Sequence, residues 1–133
     1  MKRRQFAFAL TLAACAATPG LSVAEENCSG TWVQVGETIV TLTNDPSWPH
    51  HMSVGTCELT RCTLWDKDGD SYTNESTYQE TGNRAIWKTV SGTGKYENTT
   101  ASTGWSRIDR TSARGGKGGV FIGTWGGTCT VKR

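Results

Sequence analysis

Long apolar runs, heptads, low-complexity tracts and repeats at solenoid periods are missing from this chain. Their absence excludes coiled coils, repeat arrays and long disordered tails. The one apolar stretch, Phe6 to Ala17, is too short for a membrane-spanning helix of about 20 residues. Catalytic signatures are equally scarce. There is no G-x-S-x-G, no H-E-x-x-H and no Walker-type glycine loop, since Gly115 to Gly119 lacks the G-K-[ST] ending and a helix to follow. No cofactor motif is present. With 133 residues, the chain supports a single domain around one small core.

What stands at the start reads as an export signal. Lys2, Arg3 and Arg4 precede the apolar stretch, Pro19 and Gly20 break it, and Ser22, Val23 and Ala24 form a small-x-small cleavage site. Residues 1–24 are therefore expected to be removed, leaving residues 25–133 as the mature domain in the periplasm or outside the cell. Leu12 to Cys15 also fits a lipobox, in which Cys15 would carry a lipid anchor. Three of the 14 basic residues leave with the signal, so 11 stand against 12 acidic ones and the mature net charge is −1. That balance speaks against nucleic acid as a partner, because such binding needs a sustained basic face. Charge is nevertheless uneven, acidic from Glu25 to Asn83 and basic from Arg84 onward. Acidic and basic strands could pair across a sheet. Alternatively Arg107, Arg110, Arg114 and Lys117 could form a positive face for an anionic envelope or host macromolecule.

Cys28, Cys57, Cys62 and Cys129 remain after cleavage, and an even count in an exported small domain predicts two disulfides. Cys57 and Cys62 flank a hairpin-sized stretch, and Cys28 and Cys129 lie near the two ends, so these are the expected pairs. Paired C-x-x-C knuckles are missing, which argues against structural zinc.

Helix signals are weak in the mature chain, which is rich in Thr, Gly, Val and Trp and has no sustained 3.6-residue apolar period. Strands are predicted at 31–35, 38–43, 63–65, 71–79, 84–91, 103–110, 120–125 and 128–132, with a single helical turn within 95–101. Asp66 to Asp70, Thr81 to Asn83, Gly92 to Gly94 and Gly115 to Gly119 are expected as hairpin tips. The fold class is therefore all-β, a small antiparallel closed barrel of about eight strands stabilised by disulfides, because closure removes exposed edges and a narrow interior can hold several indoles beside polar groups. Trp32, Trp48, Trp65, Trp87, Trp105 and Trp125 either fill that core or line a cavity in it.

The segment Trp65-Asp66-Lys67-Asp68-Gly69-Asp70, then Trp87, Ser91-Gly92-Thr93-Gly94-Lys95-Tyr96 and Gly123-Thr124-Trp125, resembles the pattern of small exported bacterial proteins with the allene oxide cyclase and dirigent type of β-barrel. The resemblance covers roughly residues 50 to 132, with Ser91 standing where glycine is common in that group. It implies an eight-stranded antiparallel barrel with a central cavity. It brings no catalytic residue, since none of the plant enzymes' catalytic positions matches one here.

The candidate sites follow from these readings. Trp87, Tyr96, Trp105 and Trp125 are the first candidates for binding an apolar small molecule without catalysis. A second possibility is a cavity isomerase or cyclase in which Glu75, Tyr78 or Tyr96 polarises the substrate, which would need a buried ionisable group facing an open pocket. A third is an inhibitory or structural interaction protein acting through the arginine-rich half. Asp66, Asp68, Asp70 and Glu75 suggest calcium, but Gly69 falls at the wrong position for an EF-hand, so the expectation is a turn with solvated carboxylates and no metal. His50 and His51, adjacent on an extended segment, would point apart and could not chelate one ion together.

Overall fold

The computed structural model describes residues 23–80, 82–98, 101–112 and 119–132. The expected export signal as far as residue 22, which includes Cys15, lies outside the described residues, as do Arg114, Lys117 and most of the glycine loop before Gly119. Eight strands follow one another: β1 (Val23–Val35), β2 (Thr38–Thr43), β3 (Met52–Glu58), β4 (Arg61–Asp66), β5 (Ser71–Tyr78), β6 (Arg84–Gly92), β7 (Thr103–Thr111) and β8 (Val120–Lys132). A single 3-10 turn, Gly94–Tyr96, lies between β6 and β7. Each strand pairs antiparallel with the next, and β1 pairs with β8 to close the barrel.

The count of eight was expected, but two of its members differ. β3 has no counterpart among the predicted strands. Its inward positions, Ser53, Gly55 and Cys57, are small or polar, while Val54 faces out, so its apolar pattern is inverted. The two segments expected at 120–125 and 128–132 are one strand, β8, running straight through Gly126 and Gly127. Gly126 lies beneath the ring of Trp105 on the outer wall, and Gly127 lies against Gly104 of β7, so these glycines serve close packing and not a turn.

The interior is built on one repeated contact. Trp32 pairs in register with Gly123, Trp125 with Gly30 and Trp87 with Gly104, each indole lying over the glycine of the adjoining strand. A Cβ at Gly30 would come within 2.8 Å of Trp125, and one at Gly104 within 2.7 Å of Trp87. Each indole N–H then donates to the carbonyl of the residue after its glycine: Trp32 to Thr124 (3.3 Å), Trp125 to Thr31 (3.3 Å) and Trp87 to Trp105 (3.0 Å). The rings thus fill the space that absent side chains leave and satisfy their only polar atom.

One end of the barrel is sealed. There β1 and β8 continue as a ribbon through Cys28 and Cys129, whose disulfide joins residues 101 apart and packs with Trp48, Trp87 and Tyr96. The second disulfide, Cys57–Cys62, links directly opposed residues of β3 and β4 near the other end. Both pairs are those expected, and two disulfides place the folded chain in an oxidising environment. Among the described residues no helix is long and apolar enough to cross a membrane.

Chain entropy makes the two bonds unequal, with about 4.7 kcal/mol for a loop of about 100 residues and about 2 kcal/mol for one of about six. Replacing Cys28 and Cys129 by serine is therefore expected to lower unfolding stability about twice as much as replacing Cys57 and Cys62. Urea unfolding of the two double variants checks this, and equal losses would contradict it.

Candidate ligand cavity

The barrel axis holds a cavity of about 140 Å³. Its side wall combines the rings of Trp32, Trp87 and Trp125 with Ile39 and Leu64, and its polar lining includes Asn74, Ser76 and Thr89. Thr89 donates to the Asn74 side-chain carbonyl at 2.8 Å, so part of that polarity is already paired.

The two ends of the cavity differ. At the sealed end the β2–β3 connection carries Trp48 and His50 inward, and both are buried. The His50 ring meets Trp48 at 5.1 Å, Tyr72 at 5.8 Å and Tyr96 at 5.8 Å between centroids. Its Nδ1 is buried without a hydrogen-bond partner among the described residues. Burial in this aromatic nest lowers the His50 pKa from 6.5 to about 4, against the pull of nearby Asp66, so the imidazole is neutral. His51, the next residue, is exposed and its Nδ1 lies 3.3 Å from Thr43 Oγ1. The two histidines point apart as expected, on a turn instead of an extended segment. At the opposite end, Gln34, Tyr78 and Asn83 line the cavity, and Tyr78 is 59% exposed. The described residues leave this end as the mouth.

Behind the sealed end, the two segments that carry the resemblance meet. Asp66, at the end of β4, is 7% exposed. Its Oδ1 accepts from the amides of Asp68 (2.9 Å) and Asp70 (3.2 Å), closing the turn, while its Oδ2 accepts from Lys95 Nζ and from the Tyr96 hydroxyl (2.8 Å). Lys95 Nζ also reaches Asp68 and Asp70, each at 3.2 Å. Gly94, at φ +55°, takes a conformation that disfavours a side chain, and a Cβ there would run into the Asp70 carboxylate. Burial works against the Asp66 carboxylate, but the bonds from Lys95, Tyr96 and the Asp68 amide outweigh it and hold the carboxyl below its usual range. Burial likewise opposes the Lys95 ammonium, and the three carboxylates overcome it and push its pKa up. The Tyr96 hydroxyl is pushed up by burial and by the bond it donates to Asp66.

This arrangement bears out the turn and corrects the expectation of a solvated carboxylate for Asp66, while Asp68 and Asp70 keep solvent contact. Asp66, Asp68 and Asp70 converge on an ammonium group, and Asp66 is buried. Among the described residues no group of three His, Cys, Asp or Glu side chains is placed to hold a metal ion. The acidic first half and basic second half do pair here, and again where Glu75 stands opposite Lys88 across β5 and β6.

The four ring candidates separate. Trp87, Tyr96 and Trp125 line the cavity. Trp105 does not; its ring lies on the outer wall over Gly126, because it follows inward-facing Gly104 and alternation turns it out. Glu75 also faces outward, bridged to Arg61 at 3.6 Å, and cannot polarise a bound molecule. Tyr78 stands at the mouth. Arg107 binds Asp109 at 2.7 Å on the outer wall, where it faces Arg84 across β6 and β7. Trp32, His50 and Tyr72 were not singled out for the cavity. One signal for Trp32 was legible: Gly-Thr-Trp occurs twice, at 30–32 and 123–125, and the two copies pair antiparallel so that each tryptophan covers the other's glycine. His50 carried no such mark, since only the fold shows which histidine turns inward.

The histidine makes the sealed end sensitive to acid. Its folded pKa lies below its unfolded value, so between pH 6.5 and about 4 the unfolded chain takes up a proton that the folded chain refuses. Stability is expected to fall across that window by about 3 kcal/mol, at about 1.4 kcal/mol per fully differential unit. Urea midpoints from pH 7 to 4 should show this slope in the wild type and a flatter profile in His50→Phe; identical profiles would remove His50 as its source. Comparison of the chain with protein-family models, with curated proteins and with solved structures finds no match, which leaves the cavity's own geometry to carry the functional reading.

Proposed function

We propose that this protein is a non-enzymatic binder of a small flat molecule, about one aromatic ring in size, acting in the periplasm or at the cell exterior after export. The observation that carries the reading is the cavity: about 140 Å³, walled by three indoles and sealed at one end by a neutral histidine and two tyrosines. An apolar protein cavity of about 150 Å³ is enough to hold benzene. Fatty acyl chains exceed that volume, so the apolar ligand expected from the sequence narrows to a compact one. The tryptophan faces supply stacking area. Gln34 and Asn83 at the mouth suit a polar substituent directed toward solvent. The likeness to allene oxide cyclase and dirigent-type barrels agrees with such a cavity and supplies no chemistry. A second reading, a cavity isomerase, draws on His50, a buried ionisable group at the inner end. It predicts conversion of a bound compound that disappears in His50→Gln while binding persists.

Titration of the intrinsic tryptophan fluorescence with phenol, indole, benzoate and palmitate tests the binding reading. Saturable quenching or shift by the single-ring compounds and none by palmitate is expected, and Ala85→Trp, which fills the cavity, should abolish the response. A flat response to every single-ring compound, or an unaltered response in Ala85→Trp, would overturn the proposal.

A further inference from the structure

The outer wall carries an apolar row that the cavity does not use. Ile122 of β8 pairs with Val33 of β1, Val33 with Val40 of β2, Val40 with Val54 of β3, and Val54 with Trp65 of β4. One register line thus crosses five neighbouring strands on their outward side, a width of about 19 Å at the usual strand spacing. Beside it, Leu42 of β2 pairs with Met52 of β3. Apart from half-buried Val40, these side chains are between 37% and 51% exposed. The neighbouring outward positions are Thr31, Val35, Thr38, Thr56 and Thr63, and Val35 is itself exposed. No charged residue lies inside the patch; Glu58 and Arg61 stand at the β3–β4 tip, and Arg110 faces Ile122 from β7. The opposite wall, β5 to β7, carries one exposed apolar pair, Ile86 and Trp105, set among Glu75, Arg84, Lys88 and Arg107.

We infer that this face docks a second copy of the same chain, wall against wall. The exposed apolar area is on the order of 500 Å², toward the upper end of the ~300–600 Å² that the largest patch on a monomer reaches. Two such faces together remove about 1,000 Å², the level that a specific interface must clear. A face without charge brings no like charge against itself when a twofold axis pairs it with its own image. Gently twisted sheets can meet face to face at about 10 Å with their side chains interleaved. A lipid surface fits less well. A membrane-crossing barrel carries an apolar band about 25 Å tall around its outside, whereas this patch is at most three residue layers high, about 14 Å, on one wall.

Light scattering and sedimentation velocity on the mature, disulfide-intact protein across a concentration series test the inference. The wild type is expected to form a reversible dimer, with Trp65 emission shifting to shorter wavelength as the dimer forms. Val54→Glu at the centre should give a monomer with unchanged far-ultraviolet circular dichroism. Val54→Thr, which keeps the shape and the strand preference, should raise the dissociation constant about tenfold. Ile86→Glu on the opposite wall should leave the dimer intact. A wild type that stays monomeric at its highest attainable concentration would overturn the inference, as would a dimer that survives Val54→Glu. A monomer that co-sediments with phosphatidylcholine vesicles through this face would replace the second copy with lipid.

Discussion

Three indoles share the inside of an eight-stranded barrel only because the strand beside each one offers a glycine. An eight-stranded cylinder has an interior that side chains normally just fill. Here the width gained at Gly30, Gly104 and Gly123 is occupied by the rings of Trp125, Trp87 and Trp32, and their N–H groups close on backbone carbonyls one residue further along. The wall is therefore made of flat, fixed surfaces in place of flexible aliphatic chains. That choice leaves a compact hollow at the axis where Leu and Ile would have packed solid. Core, cavity and seam between first and last strands all depend on the same ring-over-glycine contact.

The sealed end obeys a different logic. A buried carboxylate is costly unless it is paired and fully hydrogen-bonded. Asp66 meets both conditions, with two turn amides on one oxygen and Lys95 and Tyr96 on the other. Tyr96 presents its hydroxyl to this network and its ring to His50, so the charged layer outside and the aromatic layer inside are joined through one side chain. Among the described residues, the neutral His50 imidazole and the Thr130 hydroxyl are then left with a buried polar atom unpaired at the inner limit of the cavity. For the proposed ligand, polarity at that depth favours a group able to share a hydrogen bond.

Much of this was legible in the sequence, for identifiable reasons. Turn chemistry at Asp66 to Asp70, the even cysteine count and the lack of helical period pointed to a closed, sulfur-linked barrel, and both disulfides follow from spacing. β3 escaped because a barrel reverses the usual sign of alternation where its outer wall is the more apolar side: Ser53 and Gly55 face in, Val54 faces out. Trp105 was misplaced because tryptophan alone does not tell inside from outside, whereas parity with Gly104 does. Asp66 looked like any turn residue, and its burial appears only once the 3-10 turn delivers Lys95 from 29 residues away.

The pairing of β1 with β8 has a consequence for how the molecule is made. Gly-Thr-Trp at 30–32 waits for its mirror at 123–125, so a ribosome or an export pore must deliver nearly the whole chain before the first strand acquires its second neighbour. Until then two unpaired edges persist on a twisted open sheet, the state most exposed to proteases and to misassociation with other nascent copies. Oxidation of Cys28 with Cys129 then records that the edges have met, and converts a slow, long-range encounter into a permanent one.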